Sequence, residues 1–93
     1  MKPVRFSEHA LSQMELRGAS TGEVETALSK GNWESAKMGK LQTKYTFDFN
    51  KVSLMNNRSY RYKTVAPVFA EEADEIVVIT VKVFYSDSME VRK

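Results

Sequence analysis

His9, Gln13 and Arg17 recur at four-residue spacing, which on an α-helix makes them one slanted polar stripe. His9 is the only histidine of the chain. A histidine titrates near neutral pH and so can take or give a proton in a general acid–base step. A guanidinium such as that of Arg17 can grip a phosphate through two parallel hydrogen bonds and stabilise charge developing on it. On an ideal helix the two α-carbons are about 12 Å apart along the axis. They can share one substrate if Arg17 leans back, or contact neighbouring phosphates of one strand. Two structural uses stay open beside this one. A first-turn histidine often only caps or packs, and an arginine before a glycine often binds helix-end carbonyls.

The middle of the chain offers a second kind of chemistry. Lys40, Lys44, Tyr45, Arg61, Tyr62 and Lys63 interleave cations with rings, a combination that neutralises phosphates and stacks unpaired bases. From Lys37 to Lys63 there are seven cations and one anion, whereas from Ala70 to Lys93 there are three cations and six anions. The net charge of +2 hides this asymmetry, and the basic side of such a molecule suits a polyanion. A solvated surface of mixed charge is the plain alternative. The rings of Tyr45, Phe47 and Phe49 are expected in the core, while those of Tyr60 and Tyr62 can face either way.

Other chemistries find no support in the residues. One histidine and no cysteine argue against a transition-metal site, and no cofactor is expected. There is no glycine-rich phosphate loop, no nucleophile elbow and no helix-turn-helix pattern. The absence of cysteine suits a reducing, cytoplasmic location. The opening MKPVRFSEHA lacks the apolar run of a signal peptide. The longest apolar run, Ile76–Val81, is far too short to cross a bilayer, so no membrane partner is expected.

The elements that must position these groups read as follows. Ninety-three residues, 42% of them hydrophobic, predict a single domain over 1–93 with one modest core. Met1–Phe6 reads as a short edge strand or an arm. Ser7 is a good N-cap, Ala10, Leu11 and Met14 form an apolar face, and Gly18 stops the helix. Ser20-Thr-Gly-Glu23 is a capping box opening a second helix, with Val24, Ala27 and Leu28 inward. Lys40–Phe49 alternates as one half-buried strand. Tyr60–Phe69 is strand-like, with Pro67 implying an edge or a bulge. Ile76–Tyr85 is the strongest strand and is expected at the centre. Its alternation puts Val77, Ile79, Val81, Val83 and Tyr85 on one face and Ile76, Val78, Thr80, Lys82 and Phe84 on the other. Ser86–Lys93 reads as a polar tail. Helices segregated from consecutive strands predict an α+β domain, with two N-terminal helices on a three- to four-stranded antiparallel sheet. Whether Arg61 and Lys63 or Tyr60 and Tyr62 face away from the helices depends on register, which a one-residue slip reverses.

His9-Ala10, Met14, Arg17-Gly18, the Ser20-led helix and the strand IVVITV at Ile76–Val81 together resemble a family of small bacterial and phage domains, domain of unknown function four-two-five-eight. That family typically opens His-Ala-x-x-Arg-Met-x-x-Arg-Gly-Ile. The present chain has Gln13 in place of the first arginine and Ala19 in place of the isoleucine. The resemblance covers roughly the first thirty residues and the last strand. It implies a two-layer fold similar to RelE-like toxins and barnase, and a metal-independent endoribonuclease of the toxin–antitoxin type. Carried over by position, His9, Arg17 and Thr80 are the matching polar residues, and Lys82 joins them as a neighbour on the strand face of Thr80. RNA is then the expected substrate, with an antitoxin or a host protein as the protein partner. The alternative function is a non-catalytic RNA- or protein-binding module of phage or mobile-element origin.

Overall fold

A computed structural model describes residues 2–88. The described chain is α+β: two helices and a six-stranded mixed sheet. Strand β1 (Val4–Phe6) leads into helix α1 (Glu8–Arg17), followed by α2 (Thr21–Lys30). Two short strands, β2 (Glu34–Ser35) and β3 (Leu41–Gln42), flank a 3₁₀ turn at Lys37–Gly39. Three longer strands follow: β4 (Tyr45–Val52), β5 (Ser59–Glu71) and β6 (Ile76–Ser86). The polar-tail reading of the chain end falls largely on residues 89–93, outside the described residues.

Local chemistry explains the helices. Ser7 Oγ accepts from the Ala10 amide at 3.0 Å, and Gly18 closes α1 in the left-handed region at φ 83°. A Cβ on Gly18 would also stand 2.9 Å from the Tyr85 hydroxyl and force it to shift, so space adds to the backbone angle in favouring glycine there. The capping box of α2 is complete: Ser20 Oγ accepts from the Glu23 amide, and Glu23 Oε1 accepts from the Ser20 amide.

The sheet is larger than the three or four antiparallel strands expected, and it is not purely antiparallel. β1 pairs with β6 in parallel, Val4 opposite Ile76 and Phe6 opposite Val78. Three residues at an N-terminus carry too little alternation to announce a partner seventy positions away. Arg5 and Glu75 fix this edge at 3.0 Å, and the hydrogen bond from Arg5 holds the Glu75 carboxyl below its ordinary range. The central strand is β5 rather than β6, with β6 on one side and both β3 and β4 on the other.

Pro67 therefore lies in the middle of the sheet. Leu41 pairs with Phe69, Gln42 with Val68 and Tyr45 with Val65, one uninterrupted register. The Thr43 amide still donates to the Pro67 carbonyl at 3.3 Å, but proline has no amide to return. The expected single strand is split into β3 and β4 at that point.

The helices and the sheet enclose one core: Ala10, Met14, Val24 and Leu28 against Val65, Phe69, Ile76, Val78, Val81 and Val83. Here the expected alternation of β6 fails. Val68 pairs with Thr80 but Phe69 pairs with Val78, so Ile79 is an extra residue in a β-bulge. Ile76 and Val78 before the bulge, and Val81 and Val83 after it, all point into the core. Thr80, Lys82 and Phe84 stay on the opposite face. The bulge is used as well: Ser7 Oγ donates to the Ile79 carbonyl at 3.0 Å, and the Ser7 amide donates to Val78 at 3.0 Å. The N-cap of α1 is thereby tied to the β6 edge where β1 ends.

Candidate active site

From that tie α1 runs along β6. At its far end Arg17 Nη1 donates to the Val81 carbonyl at 3.0 Å. The Tyr85 hydroxyl donates back to the Arg17 carbonyl at 2.6 Å. Burial raises the Tyr85 phenol above its ordinary value; neighbouring Ser53 opposes this and the Glu23 charge adds to it. Helix and strand edge are thus stitched at both ends of α1.

Between them is an open groove of about 540 Å³ lined by His9, Gln13, Arg17, Thr80, Lys82 and Phe84, with Met55 and Val83 at its sides. The helical stripe forms one wall. Thr80 and Lys82, turned outward because Ile79 is bulged, form the other. The His9 side chain is exposed and makes no hydrogen bond among the described residues. The Lys82 ammonium is likewise exposed and unpaired among the described residues. Arg17 uses one guanidinium donor on Val81, which fixes its plane and leaves the rest of the fork for a ligand.

Such a wall can do specific chemistry. It holds a neutral base or its conjugate acid, a rigid guanidinium and a mobile ammonium, all reachable from solvent. A phosphodiester seated there would meet two cations and an imidazole. No group of three or more metal-ligating side chains comes together among the described residues. No described helix is long and apolar enough to cross a membrane.

No family model, characterised protein or solved structure matches the chain.

Around the groove the other sequence-derived candidates separate. Lys44 is exposed and lines an adjoining hollow of about 280 Å³, which shares Lys82 and Phe84 with the groove and adds Asn32, Glu34, Gln42, Thr43 and Ala66. Lys40 is at the β2–β3 turn and touches neither cavity. Arg61 is exposed, its guanidinium 5.4 Å from the Tyr62 ring centre, and the Asp87 carboxylate holds its amide. Arg61 and Tyr62 make a stacked pair near the end of the sheet, also outside both cavities.

Lys63 is a correction. It points to the helix side, and its side chain is only 7% exposed. Nζ donates to the Gly18 carbonyl at 2.8 Å and pairs with Glu23 Oε2 at 2.8 Å, 5.2 Å from the Phe49 ring centre. It closes the turn between the helices and cannot contact a nucleic acid. With Lys63 on the helix side, Tyr62 and Thr64 take the opposite face, where Tyr62 pairs with Asp48 and Ser86 and Thr64 Oγ1 bonds Thr46 Oγ1 at 2.8 Å, while the Tyr60 ring packs on Tyr85, 5.7 Å between ring centres.

Asn32, Glu34, Gln42, Met55 and Phe84 line these cavities without having been singled out in the sequence. Phe84 carried one signal, its place on the face of Lys82. The others sit in short strands and loops, where periodicity says little.

Proposed function

We propose that the chain is a metal-independent endoribonuclease of the toxin–antitoxin type, a RelE- and barnase-like two-layer domain acting on cytoplasmic RNA. One observation carries this reading: His9, Arg17, Thr80 and Lys82 line a single solvent-open groove. The resemblance of the His9–Gly18 segment to the small phage and bacterial domains points the same way.

In the reaction the ribose 2′-oxygen attacks the adjacent phosphorus. The O2′–P bond forms, the P–O5′ bond breaks, and the products are a 2′,3′-cyclic phosphate and a 5′-hydroxyl. Neutral His9 takes the proton of the 2′-hydroxyl. Arg17, already oriented by Val81, and Lys82 stabilise the extra charge on the phosphorane oxygens. The Lys82 ammonium gives a proton to the departing 5′-oxygen, and the His9 imidazolium restores it through water. Thr80 donates a hydrogen bond to a non-bridging oxygen. Lys44 holds the strand beyond the groove.

A second reading has one observation in its favour. Gln13 stands in the stripe between His9 and Arg17, where the resembled family carries arginine. With that cation missing, the same wall would bind RNA without cutting it. Incubating single-stranded RNA with the protein in EDTA separates the two. The ribonuclease reading expects fragments with cyclic-phosphate ends, lost in Lys82→Ala. Binding without cleavage would replace it with the binding module.

A further inference from the structure

Ser7 stands where α1, β1 and β6 meet, and its hydroxyl works in two directions. Oγ accepts from the Ala10 amide at 3.0 Å and donates to the Ile79 carbonyl at 3.0 Å, which one hydroxyl can do at once. The accepting half serves the helix, as any N-cap does. The donating half serves the bulge. Ile79 has no opposite number on β5, and β1 ends at Phe6, opposite Val78, one residue short of it. The Ser7 amide also donates to the Val78 carbonyl at 3.0 Å. A single bond to Val78 would let α1 tilt about it. Two bonds from one residue to consecutive carbonyls fix both the place and the direction in which the helix leaves the strand.

We propose that Ser7 is a positioning residue: its bond to Ile79, separately from its cap, holds His9 in register with Thr80 and Lys82. The inference rests on the ribonuclease reading of the groove and adds what keeps its two walls aligned. His9 is two residues past Ser7 on α1, while Thr80 and Lys82 follow Ile79 on β6, so one hydrogen bond joins the start of each wall. The far end of α1 has its own stitch, Arg17 to Val81 and Tyr85 to Arg17. That stitch lies about 12 Å along the helix axis from His9, too far to set the imbalance-prone first turn by itself. A displacement of about 1 Å at a reacting group can cost about 10²-fold in rate.

Ser7→Asp separates the two halves of the hydroxyl. A carboxylate caps a helix about as well as a serine but has no proton to give to Ile79. Ser7→Thr keeps both functions. The first readout needs no RNA: residual dipolar couplings of the α1 amides against those of β5 and β6 in the full chain. Ser7→Thr is expected to match wild type, and Ser7→Asp to show an intact but reoriented α1. The second readout is steady-state RNA cleavage in EDTA across rising salt. Ser7→Asp is expected to lower kcat at least about tenfold, and Ser7→Thr to restore it. Repulsion of RNA by the added charge would instead raise KM and fade with salt. An unmoved α1 in Ser7→Asp, a wild-type kcat, or a loss confined to KM would overturn the role. A reoriented α1 in a protein whose wild type does not cleave RNA would fail only the ribonuclease reading. Cleavage that Ser7→Asp leaves intact would fail only this inference.

Discussion

Lys63 and Tyr85 stand directly opposite each other on β5 and β6 and satisfy two consecutive carbonyls at the end of α1. Tyr85 donates to Arg17 and Lys63 to Gly18. The last carbonyls of a helix have no partner within it, and here the sheet supplies both. The pair also fixes where α1 ends over the sheet, and with it the wall of the groove.

Lys63→Ala removes the cation from a largely buried site and leaves Glu23 with only the Ser20 amide. We expect a loss of about 2–3 kcal/mol in denaturant unfolding, below the cost of breaking a fully enclosed pair because a quarter of the Glu23 side chain meets water. RNA affinity, measured on the folded variant, is expected to be unchanged.

Tyr85→Phe tests the other half of the pair. It should cost about 1 kcal/mol at neutral pH, a typical hydrogen bond. Its pH signature is more telling. The phenol is raised in the folded state, so the native protein keeps this proton to higher pH than the unfolded chain. The associated stability is complete below the free phenol value of about 10 and is lost as pH rises through the higher folded value. Chemical denaturation across alkaline pH should show that loss in the wild type and a flatter profile in the variant.

Gly18→Ala places a Cβ 2.9 Å from the Tyr85 hydroxyl at a φ of 83°. The backbone cost alone is about 1–2 kcal/mol. Because the clash falls on the oxygen that Tyr85→Phe deletes, the double variant should lose less than the sum of the singles in the same unfolding assay.

Much of this arrangement is legible in the residues. Ser7, Gly18 and the Ser20–Glu23 box mark helix ends by local chemistry, and local chemistry decides them. The His9–Gln13–Arg17 stripe follows from helical spacing. Distant pairing decides the rest. The bulge at Ile79 breaks a period of two that the sequence alternates through without interruption, and no local signal marks it. The inward turn of Lys63 is set by its register with Tyr85. A lysine reads as exposed until a carbonyl and a carboxylate are brought to it from the helices. Pro67 warned of an irregularity, and the missing amide shows as the break at Thr43 rather than as an edge strand.

Lys44→Ala and Lys82→Ala address the cationic surface. Each should lower the salt dependence of single-stranded RNA binding by about 0.7 in the logarithmic slope, measured by titration in increasing salt. Lys63→Ala should leave the slope as it is.

RNA cleavage through this groove depends on His9 as the base. Its side chain is exposed and bonds to nothing among the described residues, so His9→Ala should change stability by less than about 0.5 kcal/mol. The direct measurement is the single-turnover rate of RNA cleavage in EDTA by wild type and His9→Ala at equal folded concentration. A fall of at least about 10²-fold is expected, the contribution of a positioned general base. Cleavage by His9→Ala at the wild-type rate would contradict it.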